Sequence, residues 1–350
     1  MGKFWGLVII SCCLVLGLAN CQTQPDAAQL DLWQKQAIDL NASITQTIAD
    51  QNQNNPVQEW YLTIHGQIQQ KSVLRLSELQ KLSQQEIKTA NPHNTENRAE
   101  IETLQGVAVS QLLEKAGVEP NVKEVTFLSS NNYRVTVSLE DLKNYPILLA
   151  WSKNGQPLSR SQGGPLYLVF PYSDYPEMPD KYSDAFWAFY VTDMIVGNEP
   201  GNIEVDTKPF NVSSKLFDRN ALDALPQISI EEPIGYKFGW PLGKVKLTGV
   251  KLRDIIAAAD INLSSQDRVF IKGKSSLSSE PQEPVQLTSE EVLNCDIILA
   301  TKWGEDAVPI PSSMGGPITL AFANSCQNGV ILSPKNSQHW ATLVERVEVN

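Results

Sequence analysis

Three kinds of side chain here have the types and spacing for chemistry: thiols, imidazoles and a dense run of phenols. Of five cysteines, Cys12 and Cys13 sit inside an apolar run, Cys21 closes it, and only Cys295 and Cys326 fall in the body. A thiol that ends an apolar leader can take an acyl chain. Cys295 heads one apolar segment and Cys326 follows another, which leaves three readings open: a disulfide, two buried free thiols, or a substitute metal ligand. The three histidines, His65, His93 and His339, lack the short spacing that sets two imidazoles on one metal. His93 lies in the polar stretch Asn91-Pro92-His93-Asn94 and reads as solvated or hydrogen-bonded. Residues 172–190 (YSDYPEMPDKYSDAFWAFY) crowd rings beside carboxylates and are punctuated by Pro176 and Pro179. Rings bury area at little entropy cost, so Tyr172, Tyr175 and Tyr182 are candidates for a recognition loop. The other reading is a stiffened loop whose last aromatics, Trp187 above all, enter the core. The acidic pairs Glu231-Glu232 and Glu290-Glu291 read as solvated faces. No carboxylate pair, Ser/His/Asp arrangement or phosphate-cradling loop is spaced for catalysis, so the sequence names no catalytic residue and no metal site.

These groups hang on 350 residues, a length that favours two domains. Hydrophobic residues make up 42% of the chain, enough for sizeable cores, which excludes global disorder. A formal charge of −11 repels phosphate backbones and argues against nucleic acid as a partner. At the amino end Lys3 precedes the uncharged run Phe4–Ala19, shorter than the ~20 residues of a membrane span. Residues 1–20 therefore read as a signal peptide. Leu18-Ala19-Asn20-Cys21 resembles the bacterial lipoprotein cleavage signal, with Asn20 where a small residue is expected. Ordinary cleavage near Ala19 is the other reading, and both imply export. Lipidation at Cys21 would anchor the chain to a membrane on the periplasmic side, and Gln22 points to the outer rather than the inner membrane of a bacterial envelope. Residues 21–56 form the tether. Within it Leu30, Trp33, Ala37, Ile44 and Ile48 recur at helical spacing over 26–50, and Gln51–Pro56 ends the helix.

The body repeats itself. Leu104–Val118 matches Leu247–Ile261 in character at nearly every position, Gly106 pairing with Gly249. Leu79 pairs with Leu222, Leu82 with Leu225 and Phe127 with Phe270. Further on, Tyr145–Ala150 pairs with Cys295–Ala300, Gly163–Phe170 with Gly315–Phe322, and Trp187–Val191 with Trp340–Val344, at a slowly growing separation. Two tandem copies result, over 57–200 and 210–350. Each opens with an extended piece (Glu59–Ile64 in the first) and a short helix. A Gly-Val turn then leads into an amphipathic helix with Val109, Leu112, Leu113 and Ala116 on one face. A strand, a short acidic helix, an apolar strand, a Gly-Gly-Pro turn and a closing Trp-led strand complete it. Strands outnumber helices in irregular order, so the fold class is mixed α+β.

The series Trp60-Tyr61-Leu62-Thr63-Ile64-His65-Gly66, Leu104-Gln105-Gly106-Val107, Phe127–Tyr133, Leu148-Leu149-Ala150 with Asn154–Leu158, and Gly163-Gly164-Pro165-Leu166 carries a resemblance. In the second copy it is carried by Leu247–Val250, Ile298-Leu299-Ala300 and Gly315-Gly316-Pro317. Together they resemble the molybdopterin-binding domain of the sulfite oxidase family. The resemblance implies a metal held by a pterin dithiolene and one protein thiolate in the stretch before the Gly-Val step. It also implies cations after Gly-Gly-Pro-Leu and before the closing Trp, which would hold the pterin phosphate. Ser83–Gln105 and Pro226–Thr248 contain no cysteine. Tyr167 and Thr319 stand at the first cation position, Phe186 and His339 at the second, and Asn131-Asn132 replace an expected aspartate-glycine pair. The expectation is a binding or structural module without cofactor, its protein or small-molecule partner unnamed, rather than an enzyme. The alternative is a periplasmic oxidoreductase that still binds molybdopterin.

Overall fold

Period-two alternation sets the first strand: in β1 (Tyr61–Gly66) Leu62 and Ile64 point inward, while Tyr61, Thr63 and His65 stay on the outer face. The computed structural model describes residues 59–94, 96–131, 133–199, 201–207, 214–233, 243–275, 284–328, 330 and 340–350. The signal segment, Cys21, the helix expected over 26–50, Asn132 and His339 lie outside the described residues. Among those described, no helix is long and apolar enough to cross a membrane.

After β1 the chain runs through β2 (Ser72–Arg75), α1 (Leu76–Leu79), β3 (Gln84–Ala90), β4 (Ile101–Ala108) and α2 (Val109–Ala116). It continues with β5 (Glu124–Ser129), β6 (Arg134–Ser138), α3 (Leu139–Asn144), β7 (Leu148–Lys153), β8 (Gln156–Pro157), β9 (Tyr167–Val169), α4 (Met178–Lys181) and β10 (Val191–Val196). One sheet has the order β2-β1-β10-β5-β6 and a second the order β3-β4-β7-β8, with β9 also on β7. A second series follows: β11 (Ile203–Thr207), β12 (Ser214–Phe217), α5 (Arg219–Asp223), β13 (Gln227–Pro233), β14 (Lys244–Lys251) and α6 (Leu252–Ala258). Then come β15 (Arg268–Ser275), β16 (Val285–Thr288), α7 (Ser289–Asn294), β17 (Cys295–Trp303), β18 (Val308–Pro309), β19 (Thr319–Cys326) and β20 (Ala341–Val349). Its sheets are ordered β12-β11-β20-β15-β16 and β13-β14-β17-β18 with β19 on β17, the same paths strand for strand. Apolar side chains form two separate cores, one drawn from residues 62–196 and the other from 203–349.

The sheet-rich mixed architecture is the α+β class expected, and four details differ from expectation. The Gly-Val step is not a turn but part of β4 and β14, where the pairing with the next strand slips by a residue. A Cβ on Gly106 would lie 2.1 Å from Leu149 O, and one on Gly249 2.0 Å from Leu299 O, so only glycine allows this approach. The strands β3 and β13 were not foreseen, because their outward positions are polar and only Ile87 and Thr89, or Ile230, are buried. β11, which lies between the copies as bounded at 57–200 and 210–350, pairs parallel with β20 of the second unit. Finally, Phe127 opposes Met194 as Ile271 opposes Val347, so its counterpart is Ile271 rather than Phe270. A slip of one residue turns every side chain to the other face, and Ile271 is buried where Phe270 is not.

Other local features follow the expected chemistry. Val109, Leu112, Leu113 and Ala116 are the buried face of α2. Ser138 and Thr288 cap α3 and α7, each side chain accepting from the amide three residues on. Trp187 and Trp340 are both 2% exposed, as core residues. Both Gly-Gly-Pro turns contain cis prolines, Pro165 and Pro317.

Candidate functional site

The end of β3, the start of β4 and the head of β9 meet on one side of the first unit, where the resemblance would place a cofactor. Thr89, next to last in β3, is fully buried. Its hydroxyl donates to Phe170 O and accepts from Tyr172 N, both at 3.0 Å. Ala90 N donates to Ser173 Oγ at 3.0 Å, so this strand end is tied to the chain that follows β9. Below it Glu102, 1% exposed, accepts from Asn91 Nδ2 at 2.9 Å, Asn94 Nδ2 at 3.1 Å and Lys153 Nζ at 3.2 Å. A buried carboxylate persists only when paired and hydrogen-bonded in this way.

Tyr167 lies over this network. Its ring is 4.6 Å from that of Phe189 and 5.6 Å from that of Trp187, and its hydroxyl donates to Asn91 Oδ1 at 3.3 Å. Burial, and then the charge of Glu102, raise its pKa well above the ordinary phenol value, so it is a neutral donor. His93 packs edge-on to Phe189 at 5.0 Å, with Nε2 2.9 Å from Asp184 O. Burial holds this imidazole below its usual pKa despite that bond. Tyr167 is 1% exposed and Phe189 3%.

Of the sequence candidates, the tyrosines are corrected most clearly. Tyr182 is not on an exposed recognition surface: it is 7% exposed, its ring stacks on Phe170 at 5.3 Å, and its hydroxyl donates to Asp141 Oδ2 at 2.6 Å. Tyr172 donates its hydroxyl to Tyr182 O and sets its ring 5.1 Å from Trp187. Tyr175 is half-buried against Tyr145, ring centroids 5.0 Å apart. Tyr182 and Trp187 thus pack inward, while Tyr172 and Tyr175 are half-buried. Phe186 sits 5.2 Å from Tyr182, and Thr319 is fully buried with its hydroxyl on Gly315 O at 2.9 Å. Cys295 and Cys326 oppose each other across β17 and β19 and are joined as a disulfide. They are far along the chain from the first unit's groove and neither is a free thiol. No group of three or more His, Cys, Asp or Glu among the described residues is arranged to hold a metal ion.

Sequence reasoning missed Glu102, Asn91 and Lys153. One signal was present: Glu102 shares the inward parity of Leu104 and Gly106 along β4, and an acid in the buried phase of a strand needs partners. It also missed a second cluster on the outer face of the first sheet. There His65 contacts Glu199 through Nδ1 and lies 3.3 Å from Asp193 Oδ1 through Nε2. By strand register, Asp206 and Arg346 occupy the positions of His65 and Asp193 in the second unit, with Arg346 Nε donating to Asp206 at 3.0 Å. The ion pair is kept and its polarity reversed.

Comparison with known proteins places these features. The family model described as "Oxidoreductase molybdopterin binding domain" matches residues 49–173, most of the first unit. The uncharacterized oxidoreductase YuiH of Bacillus subtilis (strain 168) is 27% identical over 115 residues, covering 33% of this chain and 58% of that protein. The chain thus spans under two thirds of that relative's length. The crystal structure of the sulfane dehydrogenase SoxCD from Paracoccus pantotrophus aligns at a TM-score of 0.33 and 15% identity, over 65% of this chain and 63% of that one. The resemblance to the sulfite-oxidase-type molybdopterin-binding domain, read from the sequence, holds in the first unit.

Proposed function

We propose that this chain is an exported protein, lipid-anchored at Cys21 in the bacterial envelope, whose paired sulfite-oxidase-type domains serve as a binding or structural module without molybdenum. The observation that carries this reading is Tyr167. It stands at a position where the family would present a cation to the pterin phosphate, is 1% exposed, and is held by Asn91, Phe189 and Trp187. A phenol sealed among rings offers an anionic group neither charge nor room.

The residues present do not fit molybdopterin. The metal asks for a soft thiolate; the stretch that would supply it, Ser83–Gln105, holds no cysteine, and the hydroxyl of Thr89 within it is committed to backbone groups of 170 and 172. Phe186 and Thr319 add no positive charge at two of the other family positions, and the remaining one, His339, lies outside the described residues. No step through the cofactor is therefore derived. The test is metal analysis and pterin extraction on protein matured in a host that makes the cofactor. Molybdenum well below one atom per chain and no fluorescent pterin are expected; stoichiometric molybdenum would overturn the reading. For the anchor, Cys21→Ala is expected to lose acyl labelling and to move the protein from the membrane to the soluble fraction.

A second reading, a molybdopterin-dependent oxidoreductase, is favoured by the family-model match itself. It requires a metal ligand other than a cysteine of residues 83–105. Recovery of pterin from the purified protein would support it.

A further inference from the structure

Among the described residues, the two most exposed large apolar side chains are Leu216 at 65% and Val73 at 61%. They are counterparts. Val73 opposes Thr63 across β1 and β2, and Leu216 opposes Glu204 across β11 and β12. Ile64 pairs with Met194 as Val205 pairs with Val347, which sets Thr63 level with Glu204 and Val73 level with Leu216. Opposed residues of an antiparallel pair share a face, so both lie on the outer face of the sheet that opens their unit. One exposed apolar residue is ordinary. Here the outer faces differ between units in charge and type, yet an exposed branched aliphatic stands at the same place on each.

Both residues sit on open edges. β2 ends the sheet beyond β1 and β12 ends the other beyond β11, and no strand among the described residues pairs with their far sides. Leu76 N donates to Trp60 O at 2.8 Å. Bonded pairs recur at every second residue of an antiparallel ladder, so Leu62 with Leu74 and Ile64 with Ser72 exchange bonds. The amide and carbonyl of Val73 therefore point away from β1, and the common register turns those of Leu216 away from β11. Such an edge is a template for another strand. The flanking charges are opposite. Val73 lies between exposed Lys71 and Arg75, each two residues away, and Leu216 between exposed Ser214 and Asp218. Ser214 Oγ donates to Glu204 at 2.7 Å, and Asp218 commits one oxygen to Ala221 N. Counter-charges are near both edges: Glu78 accepts from Arg75 N, and Arg346 Nη1 is 3.9 Å from Glu204.

We propose that β2 of one copy of this chain pairs antiparallel with β12 of a second copy. With Val73 opposite Leu216, Lys71 faces Asp218, and Arg75 faces Ser214 beside Glu204, so each cation meets an acid. Like edges do not fit: β2 on β2 sets Lys71 against Arg75, and β12 on β12 brings Asp218 to Glu204. The two apolar side chains then cover each other at the centre of the seam, and the outward amides and carbonyls are paired. Strands this short bury little area, so the contact is weak and depends on concentration, unless a two-fold axis uses both edges of each copy at once. The inference is independent of the reading of the first groove; pterin recovered from the protein would overturn that reading and leave this one standing.

The experiment is sedimentation of the full mature chain, carrying Cys21→Ala throughout, over rising concentration. The average mass is expected to climb above that of one chain and to fall back as salt is added. Val73→Asp alone and Leu216→Asp alone should each weaken association by roughly tenfold or more, because every contact then contains one altered strand. A one-to-one mixture keeps a single intact contact, between β2 of the Leu216 variant and β12 of the Val73 variant. It is expected to form pairs and nothing larger. Both side chains are exposed, so unfolding midpoints should match the parent; if an aspartate variant melts lower, Val73→Ser and Leu216→Ser replace the pair. A parent chain that stays single up to about 1 mM overturns the proposal. So does association that survives Leu216→Asp alone, or a mixture that forms no pairs.

Discussion

Raising the pH should release a defined part of this protein's stability, through His65. The imidazole lies on β1 between Asp193 of β10 and Glu199 just beyond it, with Lys71 acting on Glu199 from the β1–β2 connection. Burial alone would lower its pKa. The carboxylates of Asp193 and Glu199, which the protonated ring faces as acceptors and as charges, outweigh that and raise it from 6.5 to about 9. A folded-state pKa above the unfolded one means the stabilisation is whole below pH 6.5, shrinks as pH climbs, and is gone above about 9. At 1.36 kcal/mol per unit, that difference amounts to up to about 3 kcal/mol. Denaturant unfolding of wild type and His65→Gln across this window is the assay. The wild-type curve is expected to fall toward that of the variant as pH rises, while the variant stays flatter. The double change His65→Asp with Asp193→Arg copies the second unit's Asp206–Arg346 pair and is expected to remove the slope without the loss. Parallel curves for wild type and His65→Gln, or a His65 resonance titrating below 6.5, would refute the reasoning.

Three other perturbations are expected to read out in denaturant midpoints. Lys153→Met leaves the buried Glu102 carboxylate without its cation and should cost about 3–5 kcal/mol, most of it recovered when Glu102→Leu is added. Cys295→Ser with Cys326→Ser opens a link between residues 31 apart and should cost about 3–4 kcal/mol; no change on reduction of the wild type would contradict the bond. Gly106→Ala and Gly249→Ala should each cost roughly 2–4 kcal/mol, because the new methyl meets the carbonyls of Leu149 and Leu299. Equal stability in either alanine variant would contradict the close approach.

Much of the scaffold was legible because backbone constraints leave signatures in residue type. The glycines at 106 and 249 stood out as a repeated pair, and the structure supplies the reason in the carbonyl each faces. The face of α2 followed from its spacing. What the sequence hid depends on pairing across strands. An edge strand such as β3, with only Ile87 and Thr89 inward, carries too little apolar signal to be read. The match of Phe127 to Ile271 needed the register, since Phe270 is the better likeness in type. The tyrosines of 172–190 looked exposed because Pro, Asp and Glu surround them. Their hydroxyl partners, Asp141 and the carbonyl of Tyr182, were not evident from local composition. His65 and Asp193 are 128 residues apart in sequence yet sit on adjacent parallel strands, a contact no local pattern reports.

The aromatic packing of the first unit also bears on how, on the proposed reading, such a scaffold stands without a cofactor. A cofactor normally completes the core of the fold that binds it, and its loss leaves a void whose walls lose their contacts. In the first unit Tyr167, Phe170, Trp187 and Phe189 belong to the same continuous apolar core as the strands of both sheets. On the proposed reading, aromatic packing there supplies the burial that a bound pterin would otherwise contribute, and the Glu102 carboxylate is balanced by Lys153. On the proposed reading, folding is then complete without ligand. By mass action, a molecule that does not bind the native state cannot raise its stability. Excess molybdate or pterin should therefore leave the unfolding midpoint where it is. A midpoint that climbs with pterin concentration would show that the groove still opens, and that Tyr167 is a gate rather than a wall.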